Sequence, residues 1–374
     1  MLEAIKTKYG YDTKMLLLHY TAVSGEISTD FIKHIGVSQS NMQYVFYQSS
    51  FKSFFKCYRL NAMCGYQING LGMDYLFQNY LKLYDTFLFN SNYNRRRLTK
   101  EAYRRRRFRS SAYLYFFLDC LNIDYLHKDN ENIYFIPSQL LKNGVLLSDL
   151  RIKQLNREEH QIKSSKIMGS IVCGTQMYNI YVFLDDLAIL EKATEFRTSE
   201  LLNAKYRYEL GKANSSVKTV IFTRNITKQE KIAKRIIDIK LSKETTISDK
   251  YSFYKEFDFD LFSELYIIPM DEYGEKETKL LLQRDATERL IHNQLSSYKK
   301  EPPNKLGISC DCYISEKPAI FLYALDLIKL IQFYNSLTIR GLQGYIFCLP
   351  HHESIVRNLF IKDFESIMII SLEM

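Results

Sequence analysis

Nine basic side chains crowd into twenty residues of this 374-residue chain: Arg95, Arg96, Arg97, Lys100, Arg104, Arg105, Arg106, Arg107 and Arg109. Glu101 is the only acid between positions 91 and 110, so the window carries +8 of the chain's net +9. Charge concentrated in this way is suited to a polyanion, and nucleic acid is the commonest one. A solvated basic helix and an anchor for an anionic membrane are the two plainer readings of the same run. A second polar set stands at Ser38, Gln39, Ser40, Asn41 and Gln43. Short hydroxyl and amide side chains can bond to base edges, and Lys52 and Lys56 a little further on can reach phosphates.

Catalytic patterns are sparse. The chain has no GxGxxG, no GxxxxGK[ST] and no HExxH. Its seven cysteines are scattered, and the one close pair, Cys310-Asp311-Cys312, has no second pair to complete a zinc site. A restriction-type nuclease needs an acid on one strand and a D/E-x-K on the next. The best match, Asp238-Ile239-Lys240, falls at the end of a predicted helix whose face already accounts for it. Asp185, Asp186 and Asp271 fall at predicted strand ends, without a lysine or histidine at a useful spacing. Glu191, Asp271 and Glu277 read as loop or helix-N-terminal acids. Adjacent His351 and His352 would point to opposite faces of a strand, and they read instead as a helix start. The expectation is therefore no catalytic residue, no metal and no cofactor. The alternative is a metal-dependent nuclease or nicking enzyme with a scattered site.

The elements that must position these residues follow a clear order. Length predicts two or three domains, and 29 Tyr and 24 Phe without Trp predict ring-rich cores. Apolar spacing over 12–24 predicts a first helix packed on one face. Ser28 or Thr29 caps a short second helix ended by Gly36, and Ser38 caps a third over 38–55. Two short helices around an IGVS turn make a helix-turn-helix, and the hairpin expected in CYRLNAMCGYQING supplies a wing. Residues 1–90 thus read as a winged-helix DNA-binding domain, and 91–150 as a basic helix with a connecting segment. Four consecutive arginines fan around more than half of a helix, at ~100° per residue. Such a helix suits a path along phosphates better than a single groove. Scattered cysteines suit a reducing compartment. With no leader and no apolar run long enough for a bilayer, the chain reads as soluble, cytoplasmic and without membrane contact.

Residues 151–374 read as α/β. Hairpins turning at 175–177 and 315–318 are interspersed with strands and helices of 10–20 residues. That alternation predicts a three-layer domain, with a mostly parallel sheet between helices. The order of features resembles the replication-relaxation type of winged-helix proteins carried by bacterial plasmids and integrative conjugative elements. The residues that carry the resemblance are the Arg-rich helix, MGSIVCG before YNIYVF, VKTVIFTRN, ELYIIPMDEYGEKETKLLL and GYIFCLPHHESIV. The resemblance implies a double-stranded DNA-binding accessory protein for replication, mobilisation or regulation of a mobile element. A relaxase or replication protein is the implied protein partner. It also implies that the α/β half has a restriction-endonuclease-like fold without an intact acid–lysine site, which would serve homodimer or partner contacts.

Overall fold

The computed structural model describes residues 5, 12–60, 63–89, 101–123, 125, 134–135, 144–148, 165–173, 176–186, 190, 192–210, 217–241, 262–295, 300–301, 308–359 and 367–372. It is a mixed α/β protein with parallel and antiparallel strand pairs. The chain divides into two compact units, Met1–Leu155 and Asn156–Met374.

The first unit opens on α1 (Thr13–Ser24). Asp12 accepts the Met15 N–H at 2.8 Å, and Gly25 ends the helix at φ 78°, where a side chain would be strained. Every residue from Met15 to Ser24 is buried. The helix is covered all round, not on the one face expected, because α4 (Gly70–Phe89) and α5 (Glu101–Cys120) both pack against it, as does β3 (Met63–Ile68). Between α1 and the hairpin lie β1 (Ile27–Ser28), α2 (Thr29–His34) and α3 (Gln39–Gln43). The helix expected over 38–55 is broken. From α3 the chain widens into a π-type turn over Tyr44–Gln48, tightens into a 3-10 turn over Ser50–Phe54, and enters β2 (Phe55–Leu60). Ser49 causes the break: its backbone is extended, and its hydroxyl donates to Val45 O while accepting from Phe51 N. β2 and β3 form an antiparallel hairpin, and β1 adds to β3, in the order β1-β3-β2. Later in this unit, β4 (Tyr134–Phe135) pairs antiparallel with β5 (Gly144–Ser148).

The second unit contains the same arrangement twice. In its first half, β6 (Gly169–Cys173) and β7 (Gln176–Val182) form a hairpin. Then α6 (Lys192–Leu210) leads to β8 (Val217–Thr223), and α7 (Ile226–Leu241) leads to β9 (Leu265–Pro269), with β7-β8-β9 parallel. α8 (Glu272–Leu282) and α9 (Arg284–Gln294) link to the second half. There β11 (Cys312–Ile314) and β12 (Lys317–Leu322) form the hairpin, with the two-residue β10 (Lys300–Glu301) on its edge. α10 (Leu327–Arg340), β13 (Gly344–Cys348), α11 (Pro350–Leu359) and β14 (Ile367–Ser371) repeat the helix–strand order, with β12-β13-β14 parallel. The single sheet expected here is therefore two. The chain leaves β9 through two helices and starts a new hairpin, so among the described residues β9 is the last strand of its sheet. Leu325 and Asp326 bond to β9, through Ile267 N–H to Leu325 O at 3.0 Å and a bridge from Tyr266 to Asp326. Helices of the two halves meet where α7 touches α10 and α11.

Asp326 secures this junction. Its Oδ1 accepts from Ile328 N and Lys329 N, capping α10, and from Leu265 N at 3.3 Å. Burial, followed by the nearby Glu264 charge, pushes its carboxyl up to about 6, although Lys329 pulls the other way. A folded-state value above the ordinary 3.8 favours the protonated form, so the associated stability is full below about 3.8 and lost as pH rises through about 6. The gap corresponds to roughly 3 kcal/mol. Asp326→Asn keeps an Oδ1 acceptor and cannot ionise. Urea midpoints should show the variant gaining on the parent protein above about pH 6, with the advantage gone near pH 4. A variant weaker than the parent at both pH values would show that the charged carboxylate is needed.

Candidate functional site

Ser38, Gln39, Ser40, Asn41 and Gln43 are all exposed, and α3 buries none of its residues. Ser38 is occupied: its hydroxyl accepts the Asn41 N–H at 3.2 Å as the helix cap. The other four turn their side chains to solvent. What holds this helix comes after it. Val45 and Phe46 are buried, and Phe46 stacks on Tyr66 of β3 at 3.7 Å and meets Phe55 of β2 edge-on at 4.7 Å. The same turn leaves Tyr44 and Tyr47 47% and 50% exposed. Rings beside amide and hydroxyl groups enlarge the set able to contact a ligand, and no sequence period marked them. Lys52 and Lys56 are exposed too, but Lys52 lies on the 3-10 turn and not on the long helix predicted to carry it, and Lys56 lies on β2.

Behind this surface, the second half of α5 is buried from Ser111 to Asp119. Its Asp119 Oδ2 accepts hydrogen bonds from Tyr20 and Tyr125, both at 2.8 Å. His19 of α1 bonds Tyr125 through Nε2 at 2.6 Å and Tyr84 of α4 through Nδ1 at 2.8 Å. All five groups are buried, so α1, α4 and α5 are joined by hydrogen bonds as well as by rings. Phe31 of α2 is enclosed by Tyr20, Tyr113 and Phe116 at 5.2–6.2 Å. The helices that flank the exposed surface are thereby seated on the helix that carries the arginines.

In the second unit the predicted strand-end acids hold structure. Asp185 pairs with Arg224 at 2.6 Å and Lys228 at 3.6 Å, and Asp186 pairs with Arg235. Asp271 caps α8 by accepting from Tyr273 N and Gly274 N, and it also accepts Ile226 N. Burial pushes its carboxyl up, and those N–H groups only partly offset the rise. A cavity of about 210 Å³ is lined by Glu264, Tyr266, Arg284, Asp311, Asp326 and Lys329. Its charges are matched: Lys329 lies 2.6 Å from Asp311, Arg284 3.5 Å from Glu264, and buried Lys218 2.7 Å from Glu264.

Glu277 departs from its expected place. It lies inside α8 and is fully buried, with its Oε1 3.0 Å from His351 Nε2 and 3.1 Å from His352 Nε2. The two histidines do start a helix, α11, and successive helical positions lie ~100° apart, so both rings can turn toward one carboxylate. Gly274 sets the depth of α8: a Cβ there would fall 1.5 Å from Pro269 O, so the helix begins directly against β9. Burial raises the Glu277 carboxyl, but the neighbouring His352 and His351 rings outweigh it and hold the group below its ordinary value. Among the described residues, these three form the one group of His, Cys, Asp or Glu side chains with donor atoms all within 4.8 Å.

No family model, no curated protein and no solved structure matches this chain. Arg95, Arg96, Arg97 and Lys100 lie outside the described residues, as do the side chains of Arg104, Arg105, Arg106, Arg107 and Arg109, whose backbone belongs to α5. Glu191, read as a loop or helix-N-terminal acid, lies outside the described residues, as does the side chain of Lys240 in the D/E-x-K match. Among the described residues, no helix is long and apolar enough to cross a membrane.

The Asp119 network yields a direct test. Asp119→Ala leaves two buried tyrosine hydroxyls without their acceptor, at roughly 1–3 kcal/mol each. Tyr20→Phe removes one donor and leaves Tyr125 in place, so it should cost only about 1 kcal/mol. Urea unfolding of the two variants compares them. Equal losses would mean that Asp119 does not hold the helices together.

Proposed function

We propose that the first unit binds double-stranded DNA as a winged helix-turn-helix, with α2 and α3 as the two helices and the β2–β3 hairpin as the wing. The observation that carries this reading is α3 itself, a helix that buries no residue and presents Gln39, Ser40, Asn41 and Gln43 to solvent. A helix gains stability by burying a face, so one that buries none is held by its neighbours for what its surface meets. Amide and hydroxyl groups suit base edges in the major groove, where each base pair shows a distinct donor and acceptor pattern. Exposed Lys52 and Lys56, and the basic first half of α5, suit the phosphates. The setting that fits the layout is an accessory role on a mobile genetic element.

Two measurements test the binding mode. If five to seven basic residues meet phosphate, log K falls against log[salt] with a slope of roughly −4.5 to −6, about 0.9 per contact. A slope shallower than about −2 would remove the phosphate clamp. Against duplexes selected from a random pool, Asn41→Ala and Gln43→Ala should each lose about 1–3 kcal/mol of discrimination between sequences. Replacing Arg104–Arg107 with alanine should weaken all duplexes alike. The reverse pattern would mean that α5 reads sequence and α3 does not.

A further inference from the structure

The Glu277 cluster joins the two halves of the second unit, since Glu277 follows β9 of the first half and His351 and His352 follow β13 of the second. Its polar atoms are not satisfied. His352 Nδ1 is buried without a hydrogen-bond partner, and its Nε2 meets Glu277 Oε1 at 3.1 Å without forming a regular hydrogen bond. Gln229 Oε1, on the amide whose Nε2 lies 3.3 Å from Glu277, is also buried without a partner. Native cores leave few such atoms, and several together mark a place where an ion or water completes the set.

The donor types decide between ion and water. Two imidazoles and one carboxylate form a ligand set for zinc and other first-row divalent ions. Ligands about 2.0–2.1 Å from a tetrahedral ion stand roughly 3.3–3.4 Å apart. The two histidine nitrogens, at 3.0 and 3.1 Å from Glu277 Oε1, are within a few tenths of an ångström of that spacing, and all three donor atoms lie within 4.8 Å of one another. An outer shell is already present: Gln229 Nε2 donates to Ile267 O at 2.7 Å while facing Glu277 Oε1, and Leu325 N reaches Oε2 at 3.4 Å.

We propose that Glu277, His351 and His352 bind one zinc ion, which pins α8 to the start of α11. The ion takes the place of the hydrogen between His351 Nε2 and Glu277, and each neutral imidazole then carries its ring hydrogen on Nδ1. Three protein ligands leave a tetrahedral ion one further position, which water fills. His351, 9% exposed and beside the exposed ring of Tyr273 at 4.8 Å, is the ligand that solvent reaches.

The test uses the full chain with Cys57→Ser and Cys64→Ser, because those two sulfurs lie 3.5 Å apart on the exposed hairpin and would take zinc themselves. Protein stripped with dipicolinate is titrated with Zn²⁺ against a chromophoric chelator, and separately with Co²⁺ to read the visible spectrum. The expected result is one zinc per chain, a tetrahedral Co²⁺ spectrum without thiolate bands, and a higher melting temperature on zinc addition. Gln229→Ala should weaken binding by roughly 10–100-fold, as loss of an outer-shell partner does, and His352→Gln and Glu277→Gln by more than that. Failure of the parent protein to bind one equivalent would overturn the proposal, and this reading needs no variant to fold. Unchanged affinity in folded His352→Gln, or thiolate bands in the Co²⁺ spectrum, would overturn it equally.

Discussion

A carboxylate taken out of water must be met by donors, and in each unit one such group determines how the surrounding elements assemble. Asp119 does this in the first unit and Glu277 in the second. Both stand on helices, and both are approached by side chains from elements distant in the chain: Tyr20 lies 99 positions from Asp119, and His351 lies 74 positions from Glu277. Apolar packing alone tolerates exchange among rings of similar size, and these cores are full of rings. A buried acid does not tolerate exchange, because moving one partner leaves a polar group without a bond. The two carboxylates therefore select one helix register from the many that hydrophobic burial would allow.

The first unit shows what this permits at the surface. α1 is enclosed on every side, and the buried half of α5 fills one of those sides and also packs against α2. α3 then needs only the Phe46–Tyr66–Phe55 stack behind it, and its own residues are released from packing. A short helix held by its successor and its neighbours can present polar side chains that contribute nothing to its own stability. Such a surface is suited to recognition.

The second unit shows a different economy. Hairpin, helix, strand, helix, strand occurs twice, with the same order and the same strand directions in each sheet. Two copies of one arrangement must still be joined. The joint is made by polar groups: Asp326 from the second half caps its own helix and takes Leu265 N from the first, while Glu277 from the first meets the paired histidines of the second. Helix contacts of α7 with α10 and α11 close the rest of the seam.

Local chemistry was legible in the amino-acid sequence wherever a single residue decides a local outcome. Ser28 and Ser38 cap the helices that their types and positions announced, and the hairpin expected to turn within 315–318 turns at Ser315 and Glu316. The exposed polar stretch from Ser38 to Gln43 was also legible, because no apolar period ran through it. Tertiary structure alone decided three things. It broke the helix at Ser49, since whether the Ser49 hydroxyl bonds backward depends on the packing of Val45 and Phe46. It divided one expected sheet into two, since spacing along the chain reports that strands alternate with helices but not which edge a new strand joins. It brought Glu277 to His351 and His352, which read separately as a helix acid and a helix start. Adjacent histidines diverge on a strand and converge within a helical turn, and only the packing of α8 against β9 placed a carboxylate where they meet.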